Sequence, residues 1–445
     1  MARSYPVSRM RTILLALAGG LACNPPSGLA ADSDATALLK RAVHNVTLSE
    51  SGIQNYTCIE TVGRDYYTPR ASTLPRACSA VLQQRQHPGL DMALRLLSFD
   101  RLRLEVTTTA AGEIFSWVGA GKFDDAGIDD LVRQGPIGTG AFGAFLSVIF
   151  DKDVKQFVVV GEDTVEGRRL MEYSFHVPRG DSHYRVRLAD GAGWFTAGYD
   201  GTVLLDPQTA DPVSLTIRTE ELPRATESCQ TVAKLDYTRV KLGERELLLP
   251  RRTTQRFIAP TGEETENTTT FSNCREYSTE STINFFGETD ASASAAQNTS
   301  AAPTSIPGGM HFRLALLAPI DSDQAAGGDR FAATLVDPLR QGKQTLAPKG
   351  SVVEGHVTLV KIFYLAQPQT VIALTLETVQ VRGAKLRLSA VPDVAAYALA
   401  RQSNRSRGVD IFLPPPGERA GLFRFHGKRA IMNRGFASDW LTVRR

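Results

Sequence analysis

The spacing of apolar residues changes along the chain. Ala35, Leu38, Leu39, Ala42, Val43 and Val46 recur at the three- and four-residue interval of one helical face. They predict an amphipathic helix with Asp34 as its N-cap. From about residue 53 the interval becomes two. Leu102, Leu104 and Val106 alternate with Arg101, Arg103 and Glu105, and Met171, Tyr173, Phe175 and Val177 with Glu172, Ser174 and His176. Tyr184, Val186 and Leu188 alternate with Arg185 and Arg187, and Val213, Leu215 and Ile217 with Ser214 and Thr216. One wet and one apolar face per strand marks an antiparallel sheet. The alternation stops at residues 289–309, TDASASAAQNTSAAPTSIPGG, a small, polar, Pro/Gly-containing stretch that predicts a flexible linker. It resumes at Phe312, Leu314 and Leu316, then at Ile372, Leu374 and Leu376, then at Leu386 and Leu388. The pattern predicts a mainly β protein: one β domain over 31–288 and a second, small β-barrel or sandwich domain over 310–445.

The first thirty residues do not belong to that pattern. Arg3, Arg9 and Arg11 precede the apolar run Ile13–Ala22, and small residues follow around Gly28–Ala31. This is the layout of a secretory signal peptide over 1–30, so an exported chain is expected, periplasmic or associated with an outer membrane. The run is too short to span a bilayer, and no later segment approaches eighteen apolar residues. Removing the segment takes the formal charge from +3 to about 0, which offers nucleic acid no basic surface. Of five cysteines, Cys23 falls in the signal; Cys58, Cys78, Cys229 and Cys274 remain and predict two disulfides. Four cysteines allow three pairings; Cys58–Cys78 with Cys229–Cys274 is favoured, each pair staying within one local group of strands. Cys23, preceded by Gly-Leu-Ala, is a candidate lipidation site, although Gly20 stands where lipoprotein signals usually carry Leu. The alternative is cleavage after Ala30 or Ala31. Either way the expected membrane association is peripheral at most.

GTGAFG, Gly138–Gly143, spells the G-x-G-x-x-G of a dinucleotide-binding loop. Such a loop follows a buried strand and opens a helix in a βαβ unit. Here DDAGIDDLVRQGPI precedes it, and antiparallel strands follow. The glycines are read mechanically instead, as a tight turn that lays a short apolar helix, Ala141–Phe150, against a sheet. A signal peptide, an amphipathic helix and amphipathic strands interrupted by an apolar helix, together with NYTCIETVGRDYY and GTVLLDPQTADPVSLTI, resemble the LolA/LolB-like superfamily of envelope lipoprotein carriers over residues 33–288. The resemblance implies an unclosed antiparallel β half-barrel with N-terminal and central helices, its concave apolar face holding acyl chains. It implies a ligand-binding set of Trp117, Phe142, Phe145, Leu146, Ile149, Tyr173 and Phe175. The four cysteines and the long C-terminal part depart from the small carriers. Pro319–Val357 is similar to a stretch of the TrbI family of secretion channels; Pro348-Lys349-Gly350 makes a turn and Gly355 relieves strand crowding.

The chemistry-bearing residues give no enzymatic constellation. No two of His44, His87, His176, His183, His311, His356 and His426 have the spacing of a helical zinc site, and no G-x-S-x-G elbow occurs. Asp124, Asp125, Asp129 and Asp130 read as a solvated helix face. No cofactor and no metal are expected. The leading expectation is a non-enzymatic envelope protein that binds a lipid or lipoprotein acyl chain and docks an envelope partner through its C-terminal domain. A structural adaptor with a filled core, and a secreted hydrolase, are the alternatives.

Overall fold

The computed structural model describes residues 27–53, 56–70, 76–86, 93–109, 112–120, 123, 127–132, 134–276, 305–396, 398, 409–413 and 419–444. Cys23, most of the signal segment and residues 289–304 of the linker lie outside them. Chain order begins with α1 (Ser27–Ile53), β1 (Tyr56–Pro69), α2 (Cys78–Gln86), β2 (Leu94–Thr109) and β3 (Gly112–Trp117). Two short helices follow, α3 (Ile128–Leu131) and α4 (Ala144–Ser147), the latter running into a π-helical segment, Val148–Asp153. Then come β4 (Val158–Val165), β5 (Arg168–Val177), β6 (Arg185–Arg187), β7 (Trp194–Thr196), β8 (Tyr199–Leu205), β9 (Pro212–Thr219), β10 (Gln230–Leu242), β11 (Arg245–Ile258) and β12 (Glu264–Glu276).

Ten of these strands form one antiparallel sheet in the order β3-β2-β1-β12-β11-β10-β9-β8-β5-β4. β3 and β4 are its edges and do not meet, so the sheet is an unclosed half-barrel. Its strands follow the alternation: Tyr173, Phe175 and Val177 of β5 are buried while His176 is exposed. GTVLLDPQTADPVSLTI is the strand, turn and strand expected, with Asp206 Oδ1 accepting from the N–H groups of Gln208 and Thr209 at 2.8 and 3.2 Å. The α1 stripe Ala35, Leu38, Ala42 and Val46 is buried against Leu146, Ile149, Tyr173 and Phe175. At about 1.5–3 kcal/mol for each fully buried large apolar side chain, this packing fixes the helices in the concavity.

Two expectations are corrected. Asp34 does not cap α1, which already begins at Ser27; its stripe continues a longer helix. The disulfides are Cys58–Cys274 and Cys78–Cys229, with Cα atoms 4.0 and 5.0 Å apart, rather than Cys58–Cys78 and Cys229–Cys274. The strand order sets the first strand, β1, beside the last, β12, so the partner of Cys58 lies 216 residues away. Cys78, at the start of α2, packs with Val81 and Ile258 around Cys229.

The C-terminal part has its own core, centred on Leu314, Leu335, Val353, Ile372, Phe423 and Trp440. Its strands are β13 (His311–Leu316), β14 (Ile320–Asp321), β15 (Arg330–Leu335), β16 (Leu339–Gln341), β17 (Gln344–Ala347), β18 (Val352–Phe363), β19 (Gln369–Val381), β20 (Ala384–Arg387) and β21 (Ala390–Pro392), then β22 (Val409–Phe412), β23 (Gly421–His426), β24 (Ile431–Met432) and β25 (Ala437–Thr442). β20 pairs with β19 and β21 with β25, completing a small barrel through β13, β15 and β18. Gly350 turns at φ +83°, and a Cβ on Gly355 would meet the Thr375 carbonyl oxygen at 2.0 Å, as the strand-crowding argument expects. The two parts are joined along β2 and β18, where Ser98–Asp100 pair with Lys361–Phe363. There Asp100, 1% exposed, accepts from Arg64 at 2.7 and 3.0 Å and from Tyr66 at 3.0 Å, with Lys361 Nζ 3.8 Å away.

Candidate functional site

The glycine loop is where the sheet's opening is shaped. A Cβ on Gly138 would fall 1.6 Å from Gln255 Oε1, and one on Gly140, whose φ is +95°, would meet the Phe145 ring at 3.2 Å. The positive φ of Gly140 favours glycine, and a side chain at Gly138 would have to displace the Gln255 amide, as the mechanical reading expects. The apolar helix expected over Ala141–Phe150 is shorter and more irregular: a turn at 141–143, the four residues of α4, then the π-helical segment. The loop does wrap an anion, and the anion is its own. The Glu113 carboxylate, from β3, accepts the N–H of Gly140 at 2.6 Å, of Phe142 at 2.7 Å and of Gly143 at 3.2 Å. Burial pushes the Glu113 carboxyl above its ordinary range, and the backbone N–H groups pull against that shift.

Beside this loop lies a cleft of about 920 Å³. Its walls are the end of α1, α4 with the π-helical segment, the β6–β7 hairpin, and the inner faces of β10 and β11. Ile53, Phe145, Val148 and Phe257 supply apolar surface, with Phe145 stacked on Tyr184 at 6.0 Å between centroids. Glu50 sits at the α1 end; burial, the largest cause, together with Asp151, lifts it to about 7, while Ser147 and Lys152 act the other way. At the hairpin end the cleft is basic and aromatic, with His183, Arg185, Arg187 and Trp194, and Lys152 lies between it and Glu50. Asp153, 1% exposed, fixes His183 by accepting its N–H at 2.9 Å and its Nδ1–H at 2.5 Å, and also accepts the Tyr199 hydroxyl at 2.7 Å. Arg187 is paired with Asp129.

Of the seven expected ligand-binding residues, Phe145 lines this cleft. Phe142 and Leu146 border a void of about 10 Å³ under α1, and Ile149, Tyr173 and Phe175 lie within the core that fills the concavity. Trp117 stacks on His356 of the C-terminal part, 5.7 Å between centroids. Sequence reasoning passed over His183, Arg185, Arg187 and Trp194. The signal was there in the alternation of Arg185 and Arg187 about Val186, which places both on one face of β6. Asp124 and Asp125 lie outside the described residues. Among the described residues no group of three metal-ligating side chains occurs, and no helix is long and apolar enough to cross a membrane.

No family model and no curated protein matches the chain. Among solved structures it is similar to a LolA superfamily protein from Nitrosomonas europaea, 9% identical with a TM-score of 0.26, the match covering 54% of this chain and 93% of that one. A DUF1329 family protein from Desulfovibrio piger, 10% identical at a TM-score of 0.25, is matched over 54% of this chain and 92% of its own. A chain of the Pseudomonas aeruginosa MucA/MucB complex, 13% identical at a TM-score of 0.16, is matched over 90% and 99%. These values are too low to carry any residue role or ligand across to this chain.

Proposed function

We propose that the protein is an exported, non-catalytic binding protein that holds an acyl chain of a lipid or lipoprotein in the cleft beside Phe145. The observation that carries the reading is the cleft itself: about 920 Å³, walled on one side by Ile53, Phe145, Val148 and Phe257. That volume lies within the range of about 300–1,000 Å³ typical of small-molecule sites. The half-barrel interior is packed shut by α1 and the π-helical segment, so the ligand sits at the mouth of the half-barrel rather than deep within it. The two disulfides fit an oxidising compartment. In this reading the C-terminal barrel, tied to the half-barrel through β2 and β18, presents a surface to an envelope partner.

The test is saturable binding of a fluorescent acyl probe to the full chain, weakened by Phe145→Ala. Absence of saturable binding sinks the reading. A second reading, an esterase, is favoured by the clamp of Asp153 on His183, the arrangement that orients a general base. It predicts ester hydrolysis that His183→Ala abolishes. Among the described residues no hydroxyl hydrogen-bonds His183 to serve as its nucleophile, which is why the binding reading ranks first.

A further inference from the structure

The two ends of the cleft differ in chemistry, and the difference speaks to the ligand's head. On β6, Arg185 and Arg187 flank Val186 and extend to the same face, where their guanidinium carbons lie 5.5 and 6.0 Å from the Trp194 ring centroid. Trp194 is 53% exposed and lines the cleft, so its ring is open to a ligand. Both guanidinium groups lie within cation–π range of the ring, which keeps them on the same side of the hairpin. Arg187 is neutralised by Asp129. Arg185 has no carboxylate partner among the described residues. Lys152 and Asp151 lie between the two ends, close enough to act on Glu50 and next in sequence to Asp153, which holds the Nδ1 of His183. The opposing carboxylates are therefore Asp151 at the rim and Glu50 and Glu113 deeper in, the last occupied by the glycine loop. The unspent positive charge is at the hairpin and the apolar wall is at Phe145.

Resting on the acyl-chain reading above, we infer that the cleft selects amphiphiles with an anionic, phosphate-type head, gripped by Arg185 with Lys152 while the chain lies along Phe145. A planar guanidinium meets a phosphate with two parallel N–H donors, which a neutral hydroxyl head cannot accept in the same way.

The experiment displaces a bound acyl probe from the full chain with n-dodecyl phosphate, n-dodecanol and inorganic phosphate, in wild type, Arg185→Ala and Arg185→Lys. Arg185 is exposed, so the variants keep the fold. The expected result is that dodecyl phosphate displaces roughly tenfold better than dodecanol, as a charge-assisted contact implies. Arg185→Ala shrinks that preference to about twofold or less, Arg185→Lys restores it in part, and added salt erodes it. Dodecanol itself is unaffected. Equal displacement by the two, or a preference that survives Arg185→Ala, overturns the head-group inference and leaves the acyl-chain reading standing. Inorganic phosphate competing as well as dodecyl phosphate assigns the hairpin to a free anion and also overturns it. Failure of every amphiphile to displace the probe removes the acyl-chain reading itself.

Discussion

Glu113→Ala is the perturbation that most directly tests how the mouth of the half-barrel is built. The carboxylate is the acceptor for three backbone N–H groups, at 2.6, 2.7 and 3.2 Å, in the glycine loop. Removing it leaves three donors without a partner, each costing about 1–3 kcal/mol when buried. Two effects offset part of that cost. Water from the adjoining cleft reaches some of the donors, and a carboxyl whose pKa burial has raised is no longer carried. The net loss is about 3 kcal/mol, which for a body of this size lowers the melting temperature by roughly 6–12 °C. Glu113→Gln keeps the shape and one acceptor oxygen but turns an amide donor toward a backbone donor, so it loses about half as much. Thermal melts of the full chain followed by near-ultraviolet circular dichroism read both. A shift under about 1 °C for the alanine variant, or a larger loss for glutamine than for alanine, refutes the idea that this carboxylate organises the loop.

Other predictions concern the staples, the cleft and pH. Peptide mapping without reduction recovers Cys58–Cys274 and Cys78–Cys229 linked pairs; replacing either pair by serines lowers stability by about 2–5 kcal/mol, and a Cys58–Cys78 peptide contradicts the strand order. Phe145→Ala weakens acyl-probe binding, whereas Trp117→Ala, which loses its stack on His356, costs about 2 kcal/mol of stability and leaves binding unchanged; the reverse outcome misplaces the site. Glu50 is raised from its ordinary value of 4.5 to about 7 in the folded protein, so the stability it contributes is present below 4.5 and is lost as pH rises through 7. Because the folded state holds the extra proton in that window, Glu50→Gln gains on the wild type in denaturant midpoint between about pH 5 and about pH 8; parallel curves refute the shift.

Much of the fold was legible because period-two alternation is a direct record of a sheet with one face against a core. Tyr173, Phe175 and Val177, and Leu314 with Leu316, are buried as their spacing requires, as are Ala35, Leu38, Ala42 and Val46 on α1. Disulfide pairing was not legible, since Cys58–Cys274 depends on the long-range pairing of β1 with β12, and Cys78–Cys229 on the docking of α2 beside Ile258. The glycine loop was half legible: tight turning is written in Gly138 and Gly140. The carboxylate it surrounds is not, because nothing in Gly-Glu-Ile-Phe marks Glu113 as the acidic residue that turns inward. The site was the least legible part. A large aromatic on an apolar face has the same local sequence signature whether it fills a core, as Phe175 does, or lines a cleft, as Phe145 does. His183 and Asp153 come together from separate segments thirty residues apart, joined only by the return of the chain.

Native mass spectrometry of the full chain purified from its own cell envelope tests the central claim most directly. A protein that holds an acyl chain beside Phe145 carries a stoichiometric mass excess that dissociates as a lipid or acylated species, and Phe145→Ala reduces its occupancy. A bare polypeptide mass in the wild type, unchanged after incubation with acyl amphiphiles, contradicts it.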